Sequence, residues 1–118
     1  AGKIDLESLC RAMGIRRVTV VDPYDLDACD RAVKEELAAT EPSVIISRRP
    51  CALLKYVKHK PALVVDQDKC VGCRVCMKLG CPAISIRGKK AMIDATQCVG
   101  CGVCSKLCRP GALGEVTK

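Results

Sequence analysis

The chain has 118 residues, room for one ordinary domain or two small ones, and a formal charge of +7 that by itself would point to nucleic acid or an anionic surface. It contains no Phe, no Trp and only 2 Tyr, which excludes an aromatic core, while 11 Cys admit a disulfide scaffold, a zinc protein or an iron–sulfur protein. An odd cysteine count and crowded C-x2-C runs fit disulfides worst, and no apolar run approaches the ~20 residues that cross a bilayer, so the expectation is a soluble protein in a reducing, cytoplasmic setting.

Residues 1–50 read as α/β. Ile4, Leu6, Leu9, Cys10 and Met13 recur at helical spacing up to Gly14, a stop signal, and Val18 to Val21 make a short apolar strand. Asp25 can cap a second helix whose Leu26, Cys29, Val33 and Leu37 form one stripe, and Val44 to Ile46 follow as another strand. Two apolar strands joined by a helix predict a parallel βαβ unit, whose strands are usually covered on both faces. One unit cannot supply that cover, so this half reads as the end of a larger α/β domain. The start at Ala1-Gly2-Lys3, without Met, agrees with a fragment.

The stretch RRPCALLKYVKHKP (48–61) is basic and bounded by prolines; residues 51–61 are expected to be a linker, and a basic run is more often a solvated face than a binding site. His59 has no companion and receives no role. Cys10 and Cys29 fall on apolar helix faces and read as small hydrophobes; Cys51 has no ligand spacing.

From residue 62 to 118 short strands alternate with cysteine loops. Leu63 to Val65 precede the first loop, Ile84 to Ile86 and Ala91 to Ile93 read as a hairpin around Arg87-Gly88-Lys89, and Leu113 to Thr117 are expected to pair with Leu63 to Val65. The loops, CVGCRVCMKLGCP (70–82) and CVGCGVCSKLCRP (98–110), are near copies. A zinc site would use two C-x2-C pairs, such as Cys70/Cys73 with Cys98/Cys101, and leave Cys76, Cys81, Cys104 and Cys108 unexplained. Three cysteines at successive two-residue gaps instead wrap three corners of a cubane, and in bacterial two-cluster runs the fourth cysteine ligates the other cluster.

On that pattern one 4Fe-4S cluster takes Cys70, Cys73, Cys76 and Cys108, and the other takes Cys98, Cys101, Cys104 and Cys81. Neither loop completes a site alone, so cluster assembly and folding are coupled. Four thiolates around an oxidised cubane carry about −2, which lowers the charge of the loaded chain to roughly +3 and weakens any case for nucleic acid. Gly72, Gly100 and Gly102 stand between ligands, where positive φ or close approach is needed. Arg74, Lys78, Lys106 and Arg109 stand beside ligands, where positive charge would raise a cluster's potential or simply aid solubility. The fourth cysteines differ in place: Cys81 directly precedes Pro82, and Cys108 stands two before Pro110. Both prolines lie twelve residues after the first cysteine of their copies, so the loops are expected to keep one length.

Residues 66–113 resemble a bacterial-type two-cluster ferredoxin domain. The phrases VVDPYDLD (20–27) and PSVIISRRPCALL (42–54) resemble the end of the thiamine diphosphate-binding domain in the large subunit of indolepyruvate:ferredoxin oxidoreductases. The resemblance implies an α+β architecture: a βαβ fragment of that domain in residues 1–50, a linker, and a two-cluster ferredoxin domain in residues 62–118. It also implies an enzyme that oxidatively decarboxylates arylpyruvates such as indolepyruvate with coenzyme A, giving acyl-CoA, carbon dioxide and reduced ferredoxin. No Gly-Asp-Gly followed by Asn is present to hold thiamine diphosphate through Mg2+. The implied partners are therefore the rest of the thiamine-binding subunit, a second oxidoreductase subunit and an external ferredoxin, with neither nucleic acid nor membrane. A free-standing ferredoxin-like carrier with an α/β extension and a zinc-dependent binding module are the competing readings.

Overall fold

The computed structural model describes residues 2–115. The chain divides into two units, residues 1–50 and 51–118.

In the first unit, helix α1 (Leu6–Ala12) starts where the Asp5 carboxylate accepts from the Glu7 amide and the Ser8 hydroxyl. It ends before Gly14, which takes a φ of 89°. Strand β1 (Arg17–Val21) is followed by α2 (Leu26–Ala38), capped by Asp25, and by β2 (Ser43–Ser47). The strands pair in parallel, Val18 opposite Val44 and Val20 opposite Ile46, with α2 as the crossover.

The buried residue of α2 is Ala32, and not the Leu26, Cys29, Val33 and Leu37 stripe expected from the sequence. One turn beyond Ala32, Glu36 meets the strands: its side chain is 7% exposed and accepts from Arg17 at 2.8 and 3.2 Å and from Thr19 at 3.3 Å. Satisfying that carboxylate turns Val33 and Leu37 outward, 46 and 81% exposed. Cys10 and Cys29 are only half-buried, and the Cys29 thiol donates to the Asp22 carbonyl. Buried apolar side chains among the described residues of this unit are Val21, Ala32 and Ile46. Val21 and Ile46 contribute roughly 1.5–3 kcal/mol each, a small core for two helices and a sheet.

The basic stretch is partly absorbed here. Arg48 pairs with Glu7 at 3.5 Å, and Arg49 pairs with Asp22 at 2.5 Å while its guanidinium stacks 4.1 Å from the Tyr24 ring centroid. The phrases VDPYDL and SRRPC therefore clamp each other at the C-terminal end of the parallel strands.

In the second unit, residues 51–63 form turns without helix or strand. Strand β3 (Val64–Val65) pairs antiparallel with β6 (Leu113–Gly114), and β4 (Ile84–Arg87) with β5 (Lys90–Ile93). Val116 and Thr117 of the expected last strand lie outside the described residues. A 3₁₀ turn (Val75–Leu79) lies within the first loop and helix α3 (Val103–Leu107) within the second. The buried core is Leu63, Cys76, Ile84, Ala91, Cys104 and Leu113, so thiols occupy places that large side chains would fill.

The two halves of this unit repeat each other in space. Val65 lies opposite Leu113 as Ile93 lies opposite Ile84. The Asp66 amide donates to Ala112 as the Asp94 amide donates to Ala83, at 2.7 and 2.8 Å. Equal loop length holds as far as the prolines. Beyond them the second copy carries one more residue before its strand, with Gly111 at a φ of 67° in the added turn. The displaced Cys108 is thus accommodated by a longer exit.

Candidate metal centres

Each cysteine loop begins in the same way. Asp66 and Asp94 accept from amides two residues on, and the Cys70 and Cys98 amides donate back to the Asp66 and Asp94 carbonyls, both at 3.0 Å. The chain then winds through left-handed residues: Gly72 and Arg74 in the first loop, Gly100 and Gly102 in the second. A Cβ on Gly72 would run into the Lys89 carbonyl oxygen, and one on Gly100 would stand 2.5 Å from that of Pro61. These glycines therefore meet a requirement of close approach as well as of φ.

The thiols fall into two sets, each drawn from both loops. Cys76 is buried, and burial first, then the thiolates of Cys73, Cys108 and Cys70, push its thiol up. Cys104 is pushed up to about 11 by burial and then by Cys101, Cys98 and Cys81. The four thiols of the first set also line one cavity of about 390 Å3, open mouth included, closed by apolar residues such as Val65, Ile86 and Leu113. Such groups resist becoming thiolates on their own. A bound cation would supply the missing charge, so the donor sets fit a metal group that takes deprotonated sulfur.

Backbone donors reach the sulfurs across the repeat. The Ala91 amide donates to Cys70 at 3.5 Å, and the Leu63 amide, at the matching place in the other half, donates to Cys98 at 3.4 Å. The Ala112 amide donates to Cys108 at 3.3 Å. The Ala91 and Gly72 amides hold the Cys70 thiol below the usual range. These amides carry no side-chain signal; the near-repeat, laid over itself, is the one sequence feature that pairs Leu63 with Ala91.

Four thiolates on one zinc lie about 3.8 Å apart, from Zn–S bonds of ~2.3 Å, and among the described residues no group of three or more His, Cys, Asp or Glu is arranged to hold a single ion. A cubane with four irons takes a wider ring of four cysteines. Cys10, Cys29 and Cys51 join neither set, and among the described residues no helix is long and apolar enough to cross a membrane.

Residues 62–109 match the model of the 4Fe-4S dicluster domain. The chain is also similar to curated proteins described as indolepyruvate oxidoreductase subunit IorA. It is 40% identical to that of Pyrococcus horikoshii over 97% of this chain and 19% of the relative. It is 41% identical to that of Thermococcus kodakarensis over 70% of this chain and 14% of the relative. With that of Methanothermobacter thermautotrophicus the identity is 34%, over 96% of this chain and 18% of the relative. The chain thus spans less than a fifth of the length of these relatives.

Proposed function

This chain corresponds to the C-terminal, ferredoxin-bearing part of an IorA-type subunit, and from that premise we propose that it conducts electrons out of a thiamine-dependent 2-oxoacid oxidoreductase of the arylpyruvate type. Cys70, Cys73, Cys76 and Cys108 would hold one 4Fe-4S cluster, and Cys98, Cys101, Cys104 and Cys81 the other. The clusters supply one-electron redox chemistry; the chain's own task is to hold them, keep water from their inner faces and donate amides to their thiolates. Leu63, Ala91 and Ala112 provide those donors.

The observation that carries this reading is the crossing of the two loops, each buried thiol being surrounded by three others that include one from the opposite copy. Residues 1–50 would complete a thiamine diphosphate-binding domain whose diphosphate and Mg2+ are held elsewhere. The exposure of Ile4, Met13 and Leu37 favours this over a free-standing carrier, because a carrier would leave them in water. The remaining thiamine-binding part, a second subunit and an external ferredoxin would be the partners.

Metal and sulfide analysis of the anaerobically purified chain tests the reading. About eight irons and eight sulfides per chain are expected, with a brown colour and, after reduction, the resonances of two interacting clusters. One or two zincs without iron would overturn it.

A further inference from the structure

The two cysteine loops share one backbone plan, so differences between matched positions are differences of purpose and not of fold. Around the first loop three of these differences add positive charge. Arg74 stands where the second loop has Gly102; Lys89, whose carbonyl abuts Gly72, matches Pro61, which abuts Gly100; and Lys90 matches Ala62. Lys78 alone has a basic counterpart, Lys106. Arg74 lines the cavity beside the first set of thiols, and the positive charge of Lys90 acts on Cys70. Arg74, Lys78 and Lys89 are exposed, as is Cys73 among them.

No salt bridge neutralises these four cations among the described residues. Lys69 nearby is paired with Asp66, and Asp68 is the exposed acid of the neighbourhood. The second copy has the opposite difference at Lys60, which matches Gly88 and whose Cβ lies beside Gly100, and at Arg109, which matches Cys81; Lys106 matches Lys78.

We propose that the rim of the first loop, Arg74, Lys78, Lys89 and Lys90 around the exposed Cys73, is the docking surface for a small acidic electron-carrier protein. The inference rests on the electron-transfer reading above. Cations without a carboxylate partner, of which Lys90 donates to the Gln67 carbonyl, attract an acidic partner over a Debye length around a thiol at the surface and orient it without a large apolar contact. A single-stranded nucleic acid fits the same charge poorly, because such interfaces stack bases on aromatic rings. Neither cysteine loop nor the β4–β5 hairpin contains an aromatic residue.

Binding of a purified acidic two-cluster ferredoxin to the full chain, measured at low and high salt, tests this. Arg74→Gln with Lys89→Gln is expected to weaken low-salt binding about tenfold, and Lys60→Gln with Lys106→Gln less than about twofold. Should the first pair disturb folding, acetylation of the unmodified chain gives the same answer: ferredoxin should protect Lys78 and leave its counterpart Lys106 reactive. Equal loss or protection at both rims, binding indifferent to salt, or an oligonucleotide that displaces the ferredoxin through the same residues overturns the inference. Iron and sulfide are measured on the same samples. A chain lacking them overturns the electron-transfer reading and this surface with it, whereas an iron-replete chain that fails the rim comparison overturns the surface alone.

Discussion

In residues 1–50, Ile4, Met13 and Leu37 stand 76, 73 and 81% exposed, whereas in residues 51–118 Leu63, Ile84, Ala91 and Leu113 are buried around Cys76 and Cys104. Both units are too small to bury a large apolar core. The first holds its crossover with polar contacts, Glu36 against Arg17 and Thr19 and Arg49 against Asp22, and leaves its apolar faces for something else to cover. The second turns inward on sulfur and leaves charge outside, together with a few apolar side chains such as Leu53 and Val71, 89 and 71% exposed. Under the proposed function, exposure has two meanings in one chain: apolar exposure at residues 1–50 would mark a surface that a neighbour covers, and basic exposure at the first loop a docking surface.

The strongest way to break the comparison is to remove the metal. Chelation after oxidation, or Cys104→Ser, is expected to abolish the cooperative unfolding of the second unit, because the buried thiols then have no charge partner and no filler for the core. Amide exchange at Ala91 and Leu63 should accelerate to unfolded rates while the α2 amides change little. Persistence of protection at Ala91 without iron would show that the sulfurs are packing groups alone.

Close approach can be separated from backbone strain within the same unit. Gly100→Ala forces a Cβ to 2.5 Å from the Pro61 carbonyl oxygen, whereas Gly88, at a φ of 62° in the β4–β5 turn, has open space where a Cβ would go. Gly100→Ala is expected to cost about 2–4 kcal/mol and Gly88→Ala about 1 kcal/mol, read from denaturation midpoints of the iron-loaded chain. Equal effects would mean that φ alone requires these glycines.

The first unit responds to acid through its polar lock. The Arg17 guanidinium, hydrogen-bonded to Glu36, holds that carboxyl below the usual carboxylate range; burial opposes this less strongly, and Ser43 and Thr19 add to the lowering. A carboxyl depressed on folding contributes stability above its unfolded value and loses it as pH falls through the lower folded value. The α2 amides should therefore lose protection below about pH 4.5. Glu36→Gln should be less protected at neutral pH and flatter across that window. A variant as acid-sensitive as the parent would place the titrating group elsewhere.

The sequence is legible where spacing encodes chemistry and less so where one contact chooses among faces. Three cysteines at two-residue gaps, twice, point to two sets of four, and Cys76 lies near Cys108 as Cys104 lies near Cys81. Strand pairing in the second unit could be read from Ile84, Ile86, Ala91 and Ile93 because alternation and a Gly turn act locally. The buried face of α2 could not: Leu26, Cys29, Val33 and Leu37 carry the apolar period, but Arg17, nineteen residues before Glu36, decides which way the helix turns. The added residue at Gly111 was hidden by prolines that keep equal distance in both copies. The basic run at Arg48 and Arg49 read as solvated because its partners, Glu7 and Asp22, are remote in sequence.

Arg74 offers the smallest effect and the sharpest comparison, because the repeat supplies its own control. Its φ is 59°, in the left-handed region where the matching position of the second loop has Gly102 at 76°. A residue with a Cβ pays about 1 kcal/mol there relative to glycine. Arg74→Gly should therefore stabilise the iron-loaded chain by about that amount and yet weaken its binding to an acidic ferredoxin. A purely structural arginine would lose nothing in binding when replaced by the residue its backbone prefers. If stability rises and binding is unchanged, the strain at Arg74 serves no docking role; if both move in opposite directions, the cation is held in a costly conformation because it faces a partner.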